Sequence, residues 1–332
     1  MIAARRSNRV AAGMLAALAF SGVTWAQKPL GLPGNYPSKP VRVLLTSAPG
    51  GGVDFSARTV LGKLGERWGV TFVPDGGMAG ASGLIAMEAG AKAAPDGYTL
   101  VLAASGSYTP TITNRFAYNP RTAFRPIAQF ALGAVLVGAH PGEPYNDMKG
   151  MIAYAKANPG KLSYGATGQG GTLHLTGELI QYLTGIKIVY VPYKGTGQSV
   201  IDAIAGRVNL VIVSTTALVP HVRAGKMKSL GVTSLNRLPS IPDLPTLAEP
   251  GLPGFDYSNW FGLIGPVGMN PAIVNVLNAD INRIINTPEV TKIFVDQGSD
   301  VHTGTPEQFR LTIVDFLDMT EKLIKEIGLK FA

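Results

Sequence analysis

The chain reads Ser47-Ala48-Pro49-Gly50-Gly51-Gly52-Val53-Asp54 between a predicted buried strand at 41–45 and a predicted long helix at 53–68. Three consecutive glycines let the backbone approach a ligand closely, and the first amides of a helix have no partner within the helix. Because a helix start carries partial positive charge, this loop is typical of an anion-binding site. A tight turn that merely requires glycine is the other interpretation.

Loops of the same kind recur in the second half of the chain. Predicted strands run into helices through residues 167–172, 192–198 and 214–216, which are rich in glycine or hydroxyl side chains. In a parallel sheet such loops emerge at the carboxyl ends of the strands, where α/β proteins bind ligands. Hydrogen bonds to a charged oxygen contribute roughly 1.5–3 kcal/mol each, so a handful of amides and hydroxyls suffices to hold an anion.

Phosphate and nucleotide ligands are disfavoured by the glycine pattern itself. The loops lack the Gly-Lys-Ser/Thr ending of a P-loop, and no Gly-x-Gly-x-x-Gly opens a helix after a strand. The sequence therefore favours a carboxylate as the bound anion.

Strand and helix patterns alternate from residue 39 onward, with one or two long strands predicted at 127–139. This alternation predicts an α/β fold with parallel-rich sheets built from βαβ units. Five prolines interrupt the rhythm at 235–257, which we interpret as a return connection between domains. Two crossings make a hinge over a cleft, so we expect lobe 1 at 27–131 plus 234–332 and lobe 2 at 132–233.

The amino-terminal residues have the pattern of a secretory signal. Arg5, Arg6 and Arg9 precede an apolar run at 10–23, and small residues at 24 and 26 predict a signal peptide at 1–26 with cleavage near Ala26. An uncleaved anchor is the alternative, but the run is shorter than the roughly 20 residues that a spanning helix needs. The chain has no cysteine, which excludes a lipid anchor and disulfides. We therefore expect a periplasmic protein.

Charge and composition limit the partners. Removing residues 1–26 takes away three arginines and lowers the formal net charge from +8 to +5. The remaining basic residues are scattered, so nucleic-acid binding is not expected, while a mild positive field would steer small anions. No later stretch predicts a membrane span, and we expect the mature chain to be a soluble monomer.

Catalysis is a weaker interpretation of the sequence than ligand binding. The histidines (His140, His174, His221 and His302) form no metal-binding pair, and no Gly-x-Ser-x-Gly elbow is present. We therefore expect no enzymatic activity, no cofactor and no metal. His174, in the first turn of its predicted helix, is expected to have a structural or capping role.

Other polar and aromatic side chains near the loops keep two interpretations each. Asp54 pairs with Arg58 four residues later or else binds a ligand ammonium. Lys194 neutralises a ligand carboxylate or is simply solvated. Tyr108 and Tyr193 pack on a ligand or on the core, whereas Trp260 is expected in the core.

An ordered series of motifs resembles the Bug family of extracytoplasmic receptors associated with tripartite tricarboxylate transporters. The matching stretches lie at 36–42, 48–58, 94–100, 157–162, 174–178, 191–195, 245–249 and 260–263. The resemblance covers essentially the whole mature chain. It implies a two-lobed periplasmic-binding-protein fold, type II-like, that closes on a small carboxylate and delivers it to membrane transporter subunits.

Family members hold the ligand carboxylate largely with backbone amides, hydroxyls and ordered waters from both lobes. Combining this implication with the reading of the loops, the expected ligand contacts are Ser47, Ala48, Pro49, Gly50, Gly51, Asp54, Ser105, Gly106, Ser107, Thr167, Gly168, Gln169, Gly170, Thr172, Tyr193, Ser214, Thr215 and Thr216.

The chain departs from the family pattern at 74–80, at 105–113 and after the strand at 210–213, all near predicted ligand loops. Ligand identity within the family range of tricarboxylates, dicarboxylates, amino acids and aromatic acids is therefore not transferred. The missing aspartate near Ser214 disfavours a cationic amine. A sensor that feeds a two-component system and a secreted hydrolase remain alternatives to a transport receptor.

Overall fold

The computed structural model describes residues 32–78, 80–112, 116–257 and 259–328, so the predicted signal peptide at 1–26 lies outside the described residues. In the described part of the chain the strands are β1 (Val41–Leu45), β2 (Phe72–Asp75), β3 (Thr99–Ala104), β4 (Phe124–Gly133), β5 (Val135–Ala139), β6 (Ser163–Thr167), β7 (Val189–Tyr193), β8 (Leu210–Ser214), β9 (Lys228–Val232), β10 (Asn259–Pro266) and β11 (Asp300–Val301). The helices are α1 (Gly52–Ser56), α2 (Gly62–Trp68), α3 (Leu84–Lys92), α4 (Met148–Ala157), α5 (Thr172–Thr184), α6 (Thr196–Ile204), α7 (Thr215–Arg223), α8 (Pro271–Ile285), α9 (Pro288–Asp296) and α10 (Pro306–Ile327). A π-helical turn at Ala57–Leu61 joins α1 to α2.

Two sheets organise these elements. The strands of the six-stranded sheet follow the order β11-β4-β10-β3-β1-β2, with β1, β2 and β3 parallel and β10 antiparallel between β3 and β4. The five-stranded sheet has the order β7-β6-β8-β5-β9, in which β6, β7 and β8 are parallel and β5 is antiparallel. The predicted two-lobed α/β fold is confirmed, and each sheet mixes parallel with antiparallel strand pairs. We call the lobe with the six-stranded sheet lobe 1 and the other lobe 2.

The chain crosses between the sheets twice. The stretch predicted as one or two strands at 127–139 is two strands in different sheets, because β4 ends at Gly133 and β5 begins at Val135. After β9 the chain returns to lobe 1 and enters β10 beyond the proline-rich segment. The residue limits predicted for the lobes, 27–131 with 234–332 and 132–233, stay a prediction.

The last helix begins with a capping box. Thr305 accepts a hydrogen bond from the Gln308 amide, the Gln308 side chain accepts one from the Thr305 amide, and Pro306 occupies the first helical position. This capping box satisfies two amides that a helix start otherwise leaves unpaired. Phe309 and Phe316 of α10 then pack edge-on against Trp260 of β10, which is buried as predicted.

Strand β10 is buried along its whole length. Its glycines make room for neighbours, since a Cβ on Gly262 would lie 2.3 Å from the ring of Phe309. Because β10 runs antiparallel to β3, Phe261 pairs with Ala104, and the start of β10 lies beside the carboxyl end of β3. The start of β10 therefore lies at the carboxyl ends of β1 and β3, where the loops that follow these strands meet lobe 2.

Candidate ligand-binding cleft

A cavity of about 170 Å³ lies between the lobes, at the carboxyl ends of the parallel strands. Residues at or just beyond the ends of β1, β3, β6, β7 and β8 contribute to its wall, as expected for an α/β ligand site. The wall is formed by Thr46, Ser47, Gly52, Val53, Gly80, Ser82, Gly83, Ala104, Gly106, Ser107, Thr167, Gly168, Gly171, Thr172, Leu173, Tyr193, Lys194, Thr196, Ser214, Asn259 and Phe261.

The predicted contact residues divide into two groups. Those that line the cavity are Ser47, Gly106, Ser107, Thr167, Gly168, Thr172, Tyr193 and Ser214. Those that lie outside its wall are Ala48, Pro49, Gly50, Gly51, Asp54, Ser105, Gln169, Gly170, Thr215 and Thr216. Ligand contact stays a prediction for both groups.

The loop after β1 is clamped by its own helix. Asp54 Oδ2 accepts a hydrogen bond from the Gly50 amide at 3.2 Å, and Asp54 Oδ1 lies 3.0 Å from Arg58 Nε. The predicted Asp54–Arg58 pair is therefore present, and it uses the carboxylate that the alternative interpretation gave to a ligand ammonium. Gly52 and Val53, where the helix starts, reach the cavity instead of Gly50 and Gly51.

The loop after β6 is clamped by a histidine. The Gly170 amide donates to His174 Nδ1 at 3.2 Å, and the imidazole packs against Tyr190 with ring centroids 4.4 Å apart. Burial lowers the pKa of His174 to about 4, so the ring is neutral at pH 7 and its Nδ1 acts as an acceptor. The structural role expected for His174 fits this contact, and it explains why Gly170 is turned away from the cavity.

Tyr193 and Lys194 form the wall at the end of β7. The Tyr193 hydroxyl donates to Asp202 Oδ2 at 2.9 Å, and burial together with that carboxylate raises the pKa of Tyr193 to about 12. Its phenol oxygen is thus held by α6. Lys194 is exposed and carries the only charge among the lining side chains of the described chain.

Residues behind the wall connect the lobes. Ser105 donates to Asn259 Oδ1, and its hydroxyl lies 3.3 Å from the Thr172 hydroxyl of lobe 2. The Thr216 hydroxyl oxygen lies 3.0 Å from that of Ser214, so it supports a lining hydroxyl without reaching the cavity.

Tyr108, for which the sequence left two interpretations, is buried in the core against Trp260.

Sequence reasoning missed Asn259 and Ser82 as lining residues. Asn259 reaches the site because β10 is antiparallel, and the strand pattern at 260–264 does not reveal direction. Ser82 follows the divergent stretch at 74–80, which marked the region without selecting a residue. Lys194 was noted near the predicted loops and lines the cavity, as does Phe261.

The described residues contain neither a metal-binding cluster nor a membrane-spanning helix. No group of three or more His, Cys, Asp or Glu side chains there is arranged to hold a metal ion. No described helix is both long and apolar enough to span a membrane.

Comparison with known proteins identifies the family. The family model described as "Tripartite tricarboxylate transporter family receptor" matches residues 57–329. The chain belongs to this receptor family. BugT of Bordetella pertussis is 32% identical, with 89% of this chain and 91% of BugT covered, which agrees with the Bug resemblance of the sequence motifs.

Solved structures of the family share the fold. A structure described as a periplasmic transporter is 36% identical with a TM-score of 0.85, covering 89% of this chain and 99% of that one. A Rhodopseudomonas palustris protein with adipate is 32% identical (TM-score 0.83, 88% and 98% covered). MatC of the same organism, with bound malate, is 28% identical (TM-score 0.82, 87% and 100% covered). The family thus comprises solute-binding receptors, among them proteins that bind small carboxylates.

Proposed function

We propose that this chain is a periplasmic receptor that captures a small carboxylate without an amine and delivers it to a tripartite tricarboxylate-type transporter. The observation that carries the proposal is the cavity between the lobes. Its wall, as far as the described residues form it, combines hydroxyls and helix-start amides with one lysine and no acidic side chain. Export and cleavage near Ala26, a monomeric state and the transporter partner are part of the proposal.

The wall fits an ionised carboxylate better than an amine. Ser47, Thr167 and Ser214 supply hydroxyls that can donate hydrogen bonds to anionic oxygens, whereas the single proton of the Ser107 hydroxyl goes to the Ala104 carbonyl. Hydrogen bonds to a charged group are about twice as strong as neutral ones, so these donors favour an anion. An ammonium would find no carboxylate in the described wall and would lose its hydration without compensation.

The body of the ligand is expected to be small and partly apolar. Val53, Leu173 and Phe261 line the cavity between the polar groups. A cavity of about 150 Å³ accommodates a benzene-sized molecule, and this one has about 170 Å³. Malate and adipate, which relatives bind, and benzoate are of that order of size. A single lysine leaves most charges of a tricarboxylate unpaired, so we place mono- and dicarboxylates before citrate.

A ligand panel tests this function. Mature protein, unfolded and refolded to remove bound ligand, is melted with malate, adipate, benzoate, citrate, glutamate or arginine, with sodium chloride as the ionic-strength control. A ligand at 100 times its dissociation constant adds about 2.7 kcal/mol of stability, which shifts the melting temperature by several degrees. We expect this shift with at least one of malate, adipate and benzoate. No shift with any carboxylate, or the largest shift with arginine, would overturn the proposal.

A further inference from the structure

Around the cavity the two lobes meet through glycines. Each contact sets a glycine of one lobe against a residue of the other, and we call this set the glycine seam. Its contacts are Gly50 with Gly197, Gly51 with Thr196, Gly106 with Thr172, Gly168 and Gly171 with Ser82, and Gly195 with Ala48.

At its two tightest points the seam leaves no room for a side chain. A Cβ built on Gly195 would lie 2.9 Å from the Cβ of Ala48, and one built on Gly168 would lie 2.0 Å from the Ser82 hydroxyl oxygen. Separations below 3.0 Å do not occur between real Cβ atoms and their neighbours, so a methyl group there forces the lobes apart or strains them. The Ser82 hydroxyl also donates to the Gln169 carbonyl at 3.2 Å across the seam.

Gly195 differs in conformation from the positive-φ glycines of the chain, such as Gly168 and Gly50. Its φ of −151° and ψ of 148° are extended values that any residue adopts. The atoms that an added Cβ would meet belong to Ala48 and Pro49, both in lobe 1. The absence of a side chain at Gly195 is therefore required by the opposite lobe and not by the fold of lobe 2.

We propose that the glycine seam sets how far the lobes close, and that the contact between Ala48 and Gly195 is one that limits closure. Widening this contact holds the lobes apart without altering any residue of the cavity wall. The seam also explains why Ala48, Pro49, Gly50 and Gly51 lie outside the wall although their loop forms part of the cleft. The consequence for ligand affinity rests on the proposed function, whereas lobe closure itself does not.

A disulfide assay measures closure without any ligand. The chain has no cysteine, and a Cβ on Gly51 would lie 3.5 Å from the Cβ of Thr196, within the range of disulfides. The double variant Gly51→Cys with Thr196→Cys is expected to form an interlobe disulfide on oxidation. The loss of free thiols over time measures the rate of this reaction. Melting temperatures of the reduced proteins establish that each variant is folded.

Further substitutions in this double-cysteine protein test the limiting contact. Gly195→Ala is expected to slow disulfide formation by about tenfold, because one methyl group overpacks the seam. Ala48→Gly added to Gly195→Ala restores the rate, since the nearest remaining atom of residue 48, its Cα, lies 3.9 Å from the new Cβ. Ala48→Val, which enlarges the contact from lobe 1, slows the reaction as well. Gly62→Ala is the control, because its Cβ meets nothing within 4 Å.

The outcomes separate this inference from the proposed function. Failure of the double-cysteine protein to form the disulfide, an unchanged rate in Gly195→Ala, or no recovery with Ala48→Gly would each overturn the inference. Adipate affinity is measured in the same variants without the cysteines, and we expect about a tenfold loss in Gly195→Ala and recovery in the double variant. Absence of adipate binding in every protein, with the disulfide results as expected, would count against adipate as a ligand and leave the seam standing.

Discussion

The two glycine-rich loops that face each other across the cleft have the same pattern in the sequence but are held by different chemistry. In lobe 1, Asp54 holds the Gly50 amide and pairs with Arg58, whose side chain is 70% exposed. In lobe 2, neutral His174 holds the Gly170 amide from a site where its side chain is only 6% exposed. A charged clamp at the surface responds to salt, whereas a buried neutral clamp responds to protons.

Acid is expected to weaken the lobe 2 clamp most strongly. The folded protein holds the pKa of His174 at about 4, against 6.5 for the unfolded chain, so between these values the unfolded state binds more protons. The stabilisation is complete above pH 6.5 and is lost as the pH falls toward 4. The loss amounts to about 3 kcal/mol in the free energy of unfolding. Urea unfolding at pH 7 and pH 4 measures it.

The variant His174→Asn is the control for this prediction. Asparagine keeps an acceptor near the position of Nδ1 but does not titrate, so its stability should depend less on pH than that of the parent chain. His221 and His302, whose pKa values burial also lowers, remain in both proteins and cancel in the comparison. Glu178, 3.7 Å from His174 Nε2, and its partner Tyr164 are likewise unchanged. Equal pH dependence in both proteins would show that His174 is not the titrating group.

The difference between the clamps also shows which features of the structure can be predicted from the sequence. The alternation of strands and helices predicts both sheets, because hydrophobic period and loop chemistry are local properties. The pair of Asp54 with Arg58 is predictable for the same reason, since four residues on a helix bring the side chains together. The contact between His174 and Gly170 is equally close in sequence, but the neutral state of the ring depends on burial, to which Tyr190 of strand β7 contributes.

Contacts between segments that are distant in the sequence could not be predicted from local patterns. Nothing in the local pattern around residue 260 states that β10 is antiparallel, so Asn259 was not expected in the wall. A glycine loop that approaches a ligand and one that approaches another backbone have the same composition. The close approach of residues 48–51 to Gly195 and Gly197 of lobe 2 was therefore not predictable, and ligand contact by residues 48–51 stays a prediction.

The lobes differ in the charge that they bring to the cavity, and Lys194 of lobe 2 is the residue that tests this. Lys194→Met is expected to weaken the binding of malate or adipate about tenfold, roughly 1.4 kcal/mol, and that of benzoate less, because a second carboxylate loses its cation. Lys194→Arg retains the charge and most of the affinity. Lys226→Met, an exposed lysine of lobe 2 outside the cavity wall, is the control. Isothermal titration measures each affinity, and an equal loss for mono- and dicarboxylates would contradict a role at a second carboxylate.

The smallest effect is expected at the lobe 1 clamp. Asp54→Asn keeps an oxygen that accepts from the Gly50 amide and loses only the attraction to Arg58, which water and salt screen because Arg58 is exposed. We expect the melting temperature to fall by less than about 2 °C in low salt and the deficit to vanish in roughly 1 M sodium chloride, where charges are screened within about 3 Å. A deficit that persists in high salt would mean that the carboxylate holds the loop by geometry and not by charge. The two clamps would then differ only in their response to acid, and the lobe 1 loop would be as rigidly held as the loop of lobe 2.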